Sequence, residues 1–244
     1  MMTPIYLIIL FPLIGFLLNG ILHLQATRLG KRIPATLSGV IATAAMVASF
    51  LVALTTTIIF HRLTPEARVF EETLFQWFKV GGLTVNFTLR YDSLSQVFVL
   101  VITGVGALIH LYSIGYMNSD KTPAKYFSYL NLFCFMMLNL VLGATLPHVF
   151  MGWEGVGLAS YLLIGYWHRD PEKVIAGQKA FIMNRIGDVG FLIAMFIAYK
   201  FVGSLGSLIF SGGILYGTTD AGGATNDGTI FSIATGHRNT KNNS

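Results

Sequence analysis

Several ionisable side chains stand inside long apolar runs of this sequence. They are His110 in GALIHLYSIGY, Glu154 in FMGWEGVGLASY, and Lys179, Arg185 and Asp188 in and around KAFIMNRIGDVGFLIAMF. In a lipid interior a central Asp, Lys or Arg costs about 2.5–3.5 kcal/mol even on the most lenient scale, so such groups face protein or water and often mark ion paths. Glu154 is about seven residues, or roughly 10 Å, inside its apolar run, too deep to snorkel to either surface. Its neighbours Gly152, Gly155, Gly157 and Ala159 are small enough to let a second helix approach closely. Two readings follow, a protonated carboxyl hydrogen-bonded in place and a carboxyl that exchanges protons. Arg185 and Asp188 are three apart and share one helix face, where they can pair. Lys179 lies on another face. It either snorkels or points into the bundle, where it would be the best cationic neighbour for Glu154 within this chain. His110 has a side chain suited to relaying protons, with plain packing as the other reading. His148 and His168 fall at the ends of apolar runs and read as interfacial, as do Tyr161, Tyr166 and Trp167, whereas Trp153 is too deep for an interface and reads as packed.

The elements that must position these residues are membrane spans. Of 244 residues 54% are hydrophobic and 11% charged, far below the roughly 25% charged of ordinary soluble domains. About 20 apolar residues cross a hydrocarbon layer, and runs of that length recur near 4–24, 34–60, 93–117, 126–146, 148–167 and 175–201. The expected fold class is all-α, a polytopic bundle of about six membrane-spanning helices over residues 1–201. Between the second and third spans, FQWFKVGGLTVNFTLRYD places a Gly-Gly pair between two partly alternating runs, which predicts a small β-hairpin. Residues 202–244, rich in Gly, Ser, Thr and Asn, read as a polar loop or disordered tail. The N-terminus lacks the basic n-region and the small-residue cleavage site of a signal peptide and reads as a retained first span.

Charge gives orientation and excludes partners. The net charge is +5, but the bases sit in short connections and form no continuous patch, which argues against nucleic acid. The first, third and fifth loops carry Arg28, Lys31 and Arg32, then Lys121 and Lys125, then Arg169 and Lys173, while the fourth carries none. By the positive-inside rule the odd loops face the cytoplasm and the N-terminus faces away from it. The lone Cys134 allows neither a disulfide framework nor a cysteine metal site. Walker, Rossmann and zincin motifs are missing as well, so no catalytic, cofactor-binding or metal residues are expected in this chain.

GWEGVGLASYLLIGYWHRDP, the following KAFIMNRIGDVGFLIAMF and the preceding RYDSLSQVFVLVITGVGALIHLYSIGYM resemble subunit L of respiratory complex I, NADH-quinone oxidoreductase, whose mitochondrial counterpart is chain 5. The likeness covers nearly all of residues 1–201 and extends to the wider antiporter-like superfamily, which includes Mrp-type cation/proton antiporter subunits. It implies a proton-pathway role for Glu154 and carries Lys179, Arg185, Asp188 and His110 with it. It also implies a respiratory membrane of bacterial or mitochondrial type, other complex I membrane subunits as partners, and NADH, FMN, iron-sulfur clusters and quinone bound in partner subunits. Members of the family continue to a seventh helix, whose lysine pairs with the glutamate, and to a broken eighth. This sequence ends in TGHRNTKNNS before either, so the expectation is a truncated, split or frame-shifted subunit, completed by a second polypeptide if it is to pump. The alternatives are a sodium/proton antiporter subunit without redox partners, and a non-pumping assembly element or fragment.

Overall fold

A computed structural model describes residues 4–63, 68–80, 83–202, 208–211, 214–219 and 229–234. Six helices follow one another: α1 (Tyr6–Leu29), α2 (Ala35–His61), α3 (Ser93–Tyr116), α4 (Pro123–Leu142), α5 (Leu146–Ile164) and α6 (Pro171–Val202), with strands β1 (Phe70–Val80) and β2 (Leu83–Tyr91) between α2 and α3. Local chemistry sets the ends. Gly30, at φ 62°, closes α1 in the left-handed conformation, its N–H donating to Ala26 O and Thr27 O. Asp92 accepts from Leu94 N and Ser95 N while the Ser95 hydroxyl accepts from Asp92 N, a reciprocal cap that starts α3. Pro123 opens α4 and Gly143 leaves it extended, so this helix starts and stops a few residues before the expected 126–146. Likewise α6 begins at Pro171 rather than near 175.

Helices α1 to α4 form a bundle, α5 packs on α4, and α6 packs on α5. Among the described residues, five helices are long and apolar enough to cross a membrane. The exception is α5, diluted by Pro147, His148, Glu154 and three glycines; its 19 residues still reach about 28 Å, close to the thickness of the hydrocarbon layer. The bundle buries a set of polar groups among its apolar core residues and is apolar outside. Asn19, Ser38, Ser49, Thr103, His110, Asn131 and Asn139 are buried, while Leu17, Leu18, Ile21, Leu24, Leu108 and Leu111 are exposed. That arrangement suits lipid, where exposed Leu and Ile are at home and polar groups must find partners within the protein.

The connections sort to two ends. Arg32 donates to Asn118 O at 2.8 Å and Asp120 O at 2.7 Å, and the Trp167 indole N–H donates to Asp120 at 3.0 Å. The α1–α2, α3–α4 and α5–α6 loops, which carry the basic residues, therefore meet at one end. At the other end lies the hairpin. Antiparallel pairing from Phe70↔Tyr91 to Val80↔Leu83 confirms the predicted β-hairpin; its Gly81-Gly82 pair falls outside the described residues. Phe60, Phe70 and Tyr91 form an aromatic cluster with Leu89, Leu138 and Leu142. Full burial of a side chain such as Phe60 or Leu89 contributes about 1.5–3 kcal/mol, enough to fix the hairpin to the bundle.

Strands β3 (Leu208–Ser211), β4 (Ile214–Thr219) and β5 (Thr229–Ala234) pair antiparallel in the order β3-β4-β5. This departs from the expected loop or disordered tail. Composition over the whole segment hid short runs such as LIFS, ILYGTT and TIFSIA, whose β-branched and aromatic residues favour strands.

Candidate functional site

The site lies between α5 and α6. Thr145 accepts from His148 N at the start of α5, and two glycines then draw α5 onto α4. At Gly152 a Cβ would lie 2.5 Å from Leu140 N and 2.6 Å from Leu140 Cα, and at Gly155 it would strike the Met136 side chain. This contact uses the glycine face of α5 and leaves Glu154 on the flank toward α6.

There Glu154 accepts a hydrogen bond from the Arg185 guanidinium and forms an ion pair with it. Arg185 Nε lies 3.6 Å from Asp188 Oδ2, the same-face pair expected from the sequence. The Trp153 indole N–H donates to Asp188 Oδ1 at 2.9 Å. Phe181 lies under the guanidinium at 4.7 Å, and Trp153 stacks on Phe191. Asp188 is almost fully buried, at 4% exposure. These groups border a cleft of about 350 Å3 lined by Met137, Trp153, Glu154, Phe181, Asn184 and Arg185 among others. Two carboxylates share one guanidinium, so the fully ionised cluster carries one net negative charge, and a single proton neutralises it.

The five sequence candidates do not all converge. Glu154, Arg185 and Asp188 form one network. The cation facing Glu154 is Arg185, not Lys179, which is exposed on α6. Six residues turn Lys179 away from the face that meets α5, whereas Arg185 and Asp188 occupy it. His110 is fully buried between other helices, its Nδ1–H donating to Gly106 O at 2.7 Å. Trp153 is the member that the sequence reading missed. The sequence reads it as packed, and its ring does stack on Phe191, but the residue is 47% exposed and its indole N–H also donates to Asp188 of α6. His148 also differs from its interfacial assignment. It is fully buried, donates from Nδ1 to Thr88 O at 3.1 Å and lies 3.2 Å from Asn139 Oδ1 through Nε2, tying the hairpin to α4 and α5.

A bundle of membrane-length helices with buried polar groups and an ion-pair network set between two of its helices defines a polytopic membrane protein. Residues 77–127 match the family model described as the N-terminus of chain 5 of NADH-ubiquinone oxidoreductase (complex I), and residues 143–224 match the NADH:quinone oxidoreductase/Mrp antiporter transmembrane model. The chain belongs to this antiporter-like family. It is 49% identical over 138 residues to NADH-quinone oxidoreductase subunit L of Mycobacterium tuberculosis H37Rv, covering 57% of this chain and 22% of that subunit. Against subunit L of Pseudomonas aeruginosa the identity is 40% over 204 residues, covering 84% of this chain and 32% of the other. The chain thus spans about a third or less of the length of the curated relatives it matches. In fold it is similar to the Mrp complex from Dietzia sp. DQ12-45-1b, with a TM-score of 0.63 and 23% identity over 82% of this chain and 20% of that one. The matched segments contain all five candidate residues, His110 in the first and the other four in the second.

Proposed function

We propose that the chain forms part of the proton-translocating membrane portion of an NADH-quinone oxidoreductase, with Glu154, Arg185 and Asp188 as the group that changes protonation. The observation that carries this reading is the network of two carboxylates around one guanidinium, held between helices in a segment similar to subunit L. Arg185 can favour either acid. When it holds Glu154, that carboxylate is compensated; when it moves to Asp188, Glu154 is left unpaired in a low-dielectric cleft. An uncompensated charge there costs about 2.5–3.5 kcal/mol, a swing that shifts a proton-binding equilibrium roughly a hundredfold. A conformational change that redistributes Arg185 therefore couples to proton uptake by Glu154 and release when the pair re-forms.

In this reading NADH, FMN, iron-sulfur clusters and quinone belong to partner subunits, and the energy reaches this chain through its contacts with other membrane subunits. Helix α6 leaves Ile182, Met183, Ile186, Val189, Ile193 and Phe196 exposed, a surface for lipid or for further helices, whether these come from a second polypeptide or from the same protein. The end where Arg32, Asp120 and Trp167 meet faces the cytoplasm and the N-terminus faces away from it, by the excess of Lys and Arg in those loops. Lys179 and His110 remain candidate proton carriers outside the network. Purification from the native membrane in mild detergent, with the bound partners identified by mass spectrometry, tests the assignment. Redox subunits of a quinone reductase are expected; partners confined to cation antiporter subunits would overturn it in favour of the antiporter reading.

A further inference from the structure

The seam between α5 and α6 carries more than the ion pair. Along it Phe150 meets Phe191 at a ring separation of 5.4 Å, Trp153 meets Asp188, Glu154 meets Arg185, and Tyr161 meets Phe181 at 5.3 Å. The two helices therefore run antiparallel in one register. On α6, Arg185, Asp188 and Phe191 recur every three residues and share a face. The Phe191 ring packs on both Phe150 and Trp153, inclined to them by 32° and 28°. That packing holds the plane of the indole, and the indole N–H, which lies in that plane, reaches Asp188 Oδ1 at 2.9 Å. The residue next to Glu154 in sequence thus spends its donor on the other carboxyl of the cluster.

The cluster offers two carboxyls to one proton. Asp188 lies within hydrogen-bonding reach of Glu154, so whichever acid holds the proton can donate it to the other. Among the described residues the cleft is lined by no titratable group besides Glu154, Arg185 and Asp188; α4 contributes Met137 and Leu140. Burial alone favours a neutral Asp188, whose side chain is 6% exposed against 22% for Glu154. The donors oppose it. Oδ2 of Asp188 faces Arg185 Nε at 3.6 Å and Oδ1 takes the indole N–H, and both of these groups donate only. A hydrogen bond to an ionised carboxylate is roughly twice as strong as one between neutral groups, so each donor favours charge on Asp188. Glu154 and Asp188 share the guanidinium, which leaves the indole as the donor that serves Asp188 alone.

We infer that Trp153 decides which carboxyl carries the proton: its indole N–H holds Asp188 as a fixed carboxylate and leaves Glu154 as the acid that gains and loses a proton. Trp153 is a positioning residue, acting on Glu154 through Asp188. The inference rests on the reading of this cluster as the group that changes protonation. The step is proton transfer alone. The Glu154 carboxylate takes up a proton, the O–H so formed donates to Asp188, and the proton leaves when the ion pair with Arg185 re-forms. One hydrogen bond to a charged group shifts an equilibrium about tenfold or more. Without that bond the deeper burial of Asp188 prevails, and the proton moves from Glu154 to Asp188.

Infrared difference spectroscopy of the assembled native complex, acidic against alkaline, reads protonated carboxyls, and carboxyl-13C labelling of either Glu or Asp tells which acid they belong to. In the native complex the signal of the cluster is expected to shift with the Glu label, to vanish in Glu154→Gln and to persist in Asp188→Asn. Trp153→Phe keeps a ring beside Phe191 and loses the donor; there a signal that shifts with the Asp label is expected in its place. A purely structural Trp153 would give a less stable complex with the proton still on Glu154. An unchanged Glu signal in Trp153→Phe therefore overturns the inference and leaves the proposed function standing. An Asp-labelled signal in the native complex that is lost in Asp188→Asn overturns it as well, whether or not the Trp153 variant assembles. No signal from either residue overturns the inference and the proton-handling reading together.

Discussion

Replacing Gly152 by alanine tests the α4–α5 contact that sets the position of Glu154. The added Cβ would lie 2.5 Å from Leu140 N and 2.6 Å from Leu140 Cα. Relative to an ordinary contact of 3.4 Å, the shortfall is about 0.9 Å. Both atoms are backbone, so no side chain can swing away and the helices themselves must separate. Overpacking of this kind costs about 1–3 kcal/mol, or about five- to 150-fold in the unfolding equilibrium. Gly155→Ala is the internal control. Its Cβ meets Met136 Sδ and Cγ, which a rotamer change can move, and Met136 Cβ at 3.0 Å, which must give by a few tenths of an ångström, so the cost should be smaller than that of Gly152→Ala. Denaturant titration of the detergent-solubilised protein, followed by tryptophan fluorescence, measures both. Gly152→Ala with wild-type stability, or Gly155→Ala as damaging as Gly152→Ala, would refute backbone-limited packing of α5.

Three further outcomes follow from other parts of the molecule. Burial pushes the Asp120 carboxyl up, but donors from Thr122 N–H, Tyr166 OH, Trp167 N–H and Thr122 OH outweigh it and hold it below its usual range. The stability this contributes is fully present above about pH 4 and is lost as pH falls through the lowered folded value; acid titration followed by Trp167 fluorescence should show the loops separating there, and Asp120→Asn should remove that transition. His148→Ala removes the hydrogen bond to Thr88 O, the polar contact with Asn139 and the contact with Phe87 at a ring separation of 4.0 Å; a loss of about 2 kcal/mol or more and faster amide hydrogen exchange in β2 are expected. Trp153→Phe keeps an aromatic ring beside Phe191 but removes the donor to Asp188, so the unfolding midpoint should fall by the equivalent of about 1–3 kcal/mol.

Much of the fold is legible because lipid imposes simple rules. Runs of apolar residues located every helix, and Gly81-Gly82 between alternating segments located the hairpin. The helix ends were less legible, since Pro123, Gly143 and Pro171 set them and hydropathy does not weigh caps. Within the site, burial cost singled out Glu154, and the three-residue spacing of Arg185 and Asp188 gave their common face. The ion pair between Glu154 and Arg185 was not legible, because spacing within α6 says nothing about how α6 is rotated against α5. Lys179 was the expected neighbour for want of that angle. Trp153 and His148 were misassigned for a related reason. Depth along a helix suggests burial or an interface, but the acceptors Asp188 and Thr88 come from other elements.

The central claim is that Glu154 handles protons within a redox-driven membrane complex. The most direct test is the proton-to-electron stoichiometry of the assembled native complex carrying Glu154→Gln, which keeps the size of the side chain and its ability to hydrogen-bond but removes the titratable carboxyl. Assembly with a lowered stoichiometry is the predicted result. Full assembly with an unchanged stoichiometry would contradict the account and leave the Glu154–Arg185–Asp188 network a structural clasp.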